Sequence, residues 1–134
     1  MNTQTSHKFA ASPNGTQTTA ALVFAEPSGI IRIWNSAAES LFGHRAAEAI
    51  GQTLDLIVPP EYRARHWAGF RAAMAAADGN IDHSSFSIPA LHRDGTVMRA
   101  EVRLLVVHDS RNRVVGAMAV LSPADASAPP LTRL

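Results

Sequence analysis

The chain has 134 residues, room for one hydrophobic core and too few for two ordinary domains. Lys and Arg number 12 against 11 Asp and Glu, for a net charge of +1; Lys8 is the only lysine and no basic block occurs, so neither a nucleic-acid surface nor an acidic partner is indicated. Cysteine is absent, which excludes disulfides, thiolate metal sites, iron–sulfur clusters, covalent c-type haem and a thiol photoadduct, because each needs a sulfur.

Residues 1–19 are rich in Ser, Thr, Asn and Gln and read as a flexible N-terminal arm. Residues 122–134 mix Pro, Ala and Ser and read as a disordered C-terminal tail, leaving one domain over 20–121. No basic segment leads into an apolar run at the N-terminus, and no stretch approaches the roughly 18 apolar residues of a membrane span. A cytoplasmic protein without a membrane partner is expected.

Ala21 to Ala25 form an apolar run, Glu26-Pro27-Ser28-Gly29 a turn and Ile30 to Trp34 a second strand, so the domain opens on a hairpin. Asn35 is placed to cap a helix through Ala37, Ala38, Leu41 and Phe42, which Gly43 stops. A short helix from Ala46 to Ile50 ends at Gly51, and Leu54 to Val58 add a turn before Pro59-Pro60. The longest helix is predicted from Pro60 to about Ala77, opened by proline and closed by Asp78-Gly79. Three strands follow: Ser84 to His92, Thr96 to Val107 after the turn Arg93-Asp94-Gly95, and Val114 to Leu121 after a loop at 108–113.

The long strand alternates cleanly. Met98, Ala100, Val102, Leu104 and Val106 face one way, and Arg99, Glu101 and Arg103 the other. Leu105 and Val107 interrupt the polar face, and Val115, Ala117, Ala119 and Leu121 are expected to do the same on the last strand. That outer face is expected to lie under the N-terminal arm or against a second copy, making a homodimer.

Two strands, several helices and three strands give an α+β order: a five-stranded antiparallel sheet with short helices and one long helix on one face. The runs GIIRIWNSAAESLFG, AIGQTLDLIVPPEYR, HRDGTVMRAEVRLLVV and RVVGAMAVL resemble the PAS family over about residues 20–121. The resemblance implies the PAS fold and a sensor that encloses its ligand between the long helix and the inner face of the sheet.

On the long helix, Tyr62, His66, Phe70, Ala73 and Ala77 fall on one stripe, with Met74 at its edge. His66 sits mid-stripe, where an unpaired imidazole is costly. A backbone carbonyl or water satisfies it in one reading; haem iron does so in the other. The run PPEYRARHWAGF resembles the ligand helix of haem-binding PAS sensors of the FixL type, with His66 on the proximal iron ligand. That resemblance implies haem b and the sensing of a diatomic gas (O2, CO or NO) or of redox state. It places Ile81, Val102 and Leu104 over the distal side of the haem, with Tyr62, Phe70 and Met118 also among the cofactor-lining residues. Trp67 reads as packing or as lining a flat ligand.

The sequence also departs from those sensors. Phe86 stands where an arginine contacts bound oxygen, and Phe86 donates no hydrogen bond, so CO and NO stand beside O2. Ala72 and Asn80 stand where an arginine and a histidine hold the propionates; Asn80 can still hydrogen-bond a carboxylate. His83 reads as a solvated loop residue, with a sixth iron ligand as the alternative.

His44, His83, His92 and His108 lie at helix ends or turns without carboxylates at ligand spacing, so no zinc site is expected. No nucleophile elbow or phosphate-binding loop occurs, and the chain does not read as an enzyme. The competing reading is an interaction or dimerisation module with a flavin, a small apolar ligand or none. No effector segment follows the last strand of this sequence, so output is expected to pass through a homodimer or an unidentified downstream signalling protein.

Overall fold

A computed structural model describes residues 20–76 and 86–124. The first apolar run forms β1 (Ala21–Ala25), which pairs antiparallel with β2 (Ile31–Trp34) across the Glu26–Gly29 turn. Gly29 N donates to the Glu26 carbonyl at 2.7 Å. Gly29 holds φ +90°, and a Cβ there would also collide with the Trp67 ring, so two independent constraints demand glycine.

Asn35 caps α1 (Ser36–Phe42) as its residue type suggests, accepting at Oδ1 from Ala38 N at 2.9 Å. The same oxygen accepts from Leu22 N at 2.9 Å, and Nδ2 donates to the Ala20 carbonyl at 3.0 Å, so the cap also fastens α1 to β1. Gly43 ends the helix in the left-handed conformation with φ 85°. Helix α2 (Ala46–Ala49) and a 3-10 turn (Leu54–Ile57) follow.

The long helix differs from expectation at both ends. Pro60–Tyr62 form a 3-10 turn, and the α-helix proper, α3, spans Arg63–Ala75 with Ala76 already extended. Proline sets the first turn without donating an N–H, and the tighter turn absorbs the change of direction. The expected stop at Asp78-Gly79 lies outside the described residues.

The remaining strands are β3 (Phe86–Leu91), β4 (Val97–His108) and β5 (Val114–Pro123); the first two residues of the predicted third strand, Ser84 and Ser85, lie outside the described residues. The five strands form one antiparallel sheet in the order β2-β1-β5-β4-β3. The predicted order of elements and the α+β architecture are therefore the observed ones.

The faces of β4 are as the alternation predicts, with Ala100 and Val102 buried and Arg99 and Arg103 exposed. Those of β5 are reversed. Ala117, Ala119 and Leu121 pair with inward-facing Val106, Leu104 and Val102 and belong to the inner face, while Met118 pairs with Leu105 and belongs to the outer one. Both faces of β5 are apolar, so a period of two carries no sign there; only the register with β4 fixes it. Val115, left without a partner where the register shifts beside His108, is exposed.

The core gathers under the helical layer: Ile31, Phe42, Ala38 and Ala100 are fully buried beside Trp34, Val102 and Leu121. Burying side chains the size of Phe42 and Ile31 contributes about 1.5–3 kcal/mol each. Trp34 keeps its indole satisfied by donating from Nε1 to the His44 carbonyl at 2.9 Å.

Candidate functional site: an apolar cavity under the long helix

Between α3 and the inner sheet face lies a cavity of about 320 Å3. His66, Gly69, Phe70 and Ala73 form its helical wall; Phe86, Ile88, Val102, Leu104, Val106, Ala117 and Ala119 form most of the opposite wall. Leu54, Ile57 and Val58 close one side. The space exists because the facing positions are small: Gly69 and Ala73 on the helix, Ala117 and Ala119 on β5. Larger side chains there would interdigitate and fill it.

Among the described residues His66 brings the one titratable side chain to this wall. Its Nδ1 is buried without a hydrogen-bond partner among the described residues. Burial pushes its pKa below the ordinary 6.5, and the nearby Asp55 carboxylate only partly offsets that. The ring is therefore neutral near pH 7 and keeps a lone pair for a ligand. It lies 5.9 Å from the Phe70 ring and 4.9 Å from that of Trp67, centroid to centroid.

The neighbouring residue fixes the helix. Trp67 donates from Nε1 to Asp55 Oδ1 at 2.7 Å and rests its ring on Gly29. One turn earlier, Arg63 donates to the Val58 carbonyl at 2.9 Å and to the Asp55 carbonyl at 3.2 Å. Adjacent helical positions point about 100° apart. With Trp67 pinned toward the 54–57 turn and the hairpin, His66 is turned onto the cavity wall.

Of the residues singled out from sequence, His66, Phe70, Phe86, Val102 and Leu104 meet around this cavity. Tyr62 is not on its wall; its ring lies under the Arg65 guanidinium, 5.5 Å from centroid to carbon. Trp67 takes the packing role just described, and Met118 lies on the opposite face of the sheet. Asn80, Ile81 and His83 lie outside the described residues. Sequence reasoning missed Val23, Ala25, Ile88, Ala117 and Ala119 on the wall. All five residues of β1 are apolar, so the sequence carried no alternation that could have marked the first two.

Among the described residues no group of three or more His, Cys, Asp or Glu side chains could hold a metal ion. Any metal here would need a ligand set supplied largely by something other than protein. No helix among the described residues is long and apolar enough to cross a membrane.

Comparison with known proteins agrees with the architecture. An uncharacterized protein of Azorhizobium caulinodans is 35% identical over 83 residues, covering 61% of this chain and 11% of that protein. Sensor protein FixL of Bradyrhizobium diazoefficiens is 33% identical over 76 residues, covering 57% of this chain and 15% of that protein. The chain thus spans only a small part of either curated relative. The PAS domain of a protein from Colwellia psychrerythraea superposes with a TM-score of 0.69 at 21% identity, covering 90% of this chain and 97% of that one. The model of the PAS fold matches residues 16–124, and with the sheet order and the roofed cavity this shows that the chain belongs to the PAS family.

Proposed function

We propose that this PAS sensor domain binds haem b through His66 and responds to a diatomic gas (O2, CO or NO) or to redox state. The observation that carries the reading is the buried, unpartnered Nδ1 of His66 on the wall of an otherwise apolar enclosure. An orphaned buried imidazole is costly unless something ligates it or hydrogen-bonds to it. A porphyrin asks for one imidazole nitrogen and apolar surface on both faces, and this wall offers both. The 33% identity to sensor protein FixL over the matched segment supports the same reading.

Haem, if bound, would supply an iron centre with affinity for a diatomic ligand. His66 would hold it, Trp67 and Asp55 would keep His66 aimed, and Phe70 would pack beside the ring. Phe86, Ile88, Val102 and Leu104 exclude water and donate no hydrogen bond, so they favour CO and NO relative to a polar oxygen complex. Ligand sites run from roughly 300 to 1,000 Å3, and this cavity is at the small end of that range. A porphyrin exceeds it, so the macrocycle edge would reach past the described wall.

A redox flavin suits the wall less well, because its ring edge carries several hydrogen-bonding groups and the described wall offers one imidazole. The second reading is an interaction module holding a small apolar ligand, and the almost wholly apolar wall favours it. In either case the outer sheet face is our candidate for output, through contact with a second copy. A row of apolar residues crosses it in register: Ile33, Phe24, Met118 and Leu105.

The test is an absorption spectrum. Protein produced with haem available is expected to show a Soret band that moves under CO, and His66→Ala is expected to lose it. A colourless protein that takes up no added hemin would end the haem reading, and mass spectrometry of an extract would then identify any apolar ligand.

A further inference from the structure

Among the described residues His108 has the other buried imidazole nitrogen without a partner. The predicted loop begins one residue too early: His108 is the last residue of β4 and pairs with Val114. Its Nε2 is buried and has no hydrogen-bond partner among the described residues. On β4, Val102, Leu104 and Val106 all line the cavity. Strand side chains alternate, so His108 continues that row one step further, about 7 Å beyond Val106. The register shift beside it leaves the extra residue, Val115, on β5, so the alternation along β4 is undisturbed. The described cavity wall ends at Val106, and His108 stands one step beyond it on the same strand face, at the β4–β5 hairpin end.

We propose that His108 is a ligand-binding residue that receives the carboxylate of a ligand whose body occupies the apolar cavity. This rests on the cavity being a ligand site, as the proposed function holds, and it adds which end of the ligand is acidic and what meets it. An imidazole Nε2–H donates one hydrogen bond in its neutral form and a charge-assisted one when protonated; a carboxylate accepts either. No charged side chain lies on the described cavity wall. With haem bound, His66 is committed to the iron and is not free to serve the same group. A body of apolar atoms with a carboxylate at its edge describes both haem b, through one of its two propionates, and a free medium-chain fatty acid.

Acid and neutral forms of each body separate the two sources: hemin against hemin dimethyl ester, and decanoate against decanol, titrated into the full chain. The wild type is expected to prefer the acid in at least one pair by on the order of tenfold. His108→Leu is expected to erase that preference while keeping affinity for the neutral form, and His108→Gln, which retains a donor, to keep part of it. His108→Met serves the same comparison if the leucine variant does not fold. A preference confined to hemin identifies the propionate. One confined to decanoate, with no hemin uptake, leaves His108 in this role and removes haem. Equal binding of acid and ester, beside a Soret band that depends on His66, would overturn the proposal and leave the haem reading standing. An acid preference unchanged in His108→Leu, or no binding of any probe, overturns it as well.

Discussion

His66 pays for its position in solvation, and the consequence is a pH dependence whose sign is fixed. Burial holds the folded-state pKa below 6.5, the value it regains on unfolding. Above about pH 6.5 both states carry a neutral ring and stability is at its full value. As pH falls through that point the unfolded chain takes up a proton that the folded one refuses, so stability declines until pH drops below the folded pKa. His44, lowered first by its own burial and then by the Arg93 charge, contributes in the same direction. Urea midpoints of the ligand-free protein at about pH 7.5 and about pH 5.5 are expected to differ, with the lower pH less stable. His66→Leu is expected to shrink that difference without removing it, since His44 remains. An unchanged difference would mean that His66 is not desolvated in the folded state.

At the scale of elements, the joints between helices and sheet decide the architecture. Asn35 satisfies a helix donor and two backbone groups of the adjoining β1 segment. Asn35→Ala is expected to cost about 1–3 kcal/mol in urea unfolding, more than an isolated cap. Asn35→Asp keeps the acceptor for Ala38 and Leu22, loses only the donor to Ala20, and is expected to cost less. A loss for alanine of a few tenths of a kcal/mol would show that the bonds to β1 contribute nothing. Asn35 was legible as a cap because its residue type stands before an apolar helix. Its grip on β1 was not legible, since Leu22 is 13 positions away and nothing local points to it. The same holds for Trp67, whose partners Asp55 and Gly29 come together only when α3 packs on the hairpin.

At the scale of the molecule, the sheet has one face under the helices and another with an apolar row across four strands. Ile33 and Leu105, at the two ends of that row, are among the exposed large hydrophobic residues. Exposed apolar rows of this kind mark contact surfaces when contiguous. Light scattering of the full chain is expected to give a dimer, and Leu105→Glu is expected to shift it to monomer with the fold retained, because an unpaired charge in an apolar interface is costly. A wild-type monomer at high concentration would remove the second copy as the receiver of the signal.

Sequence alone determined the order and type of the elements, because turn glycines, the Asn35 cap and the period-two run of β4 are local properties of the chain. It also placed His66 on the inward stripe of the long helix. Tertiary structure decided the rest. On β5 both faces are apolar, so only pairing with β4 sent Ala117 and Ala119 inward and Met118 outward. The cavity itself is the gap left where small residues from α3 and β5 happen to face each other, and no local pattern records that meeting. His108, whose Nε2 is buried, reads in sequence as the start of a loop; strand register alone sets it one step beyond Val106 on the inner face.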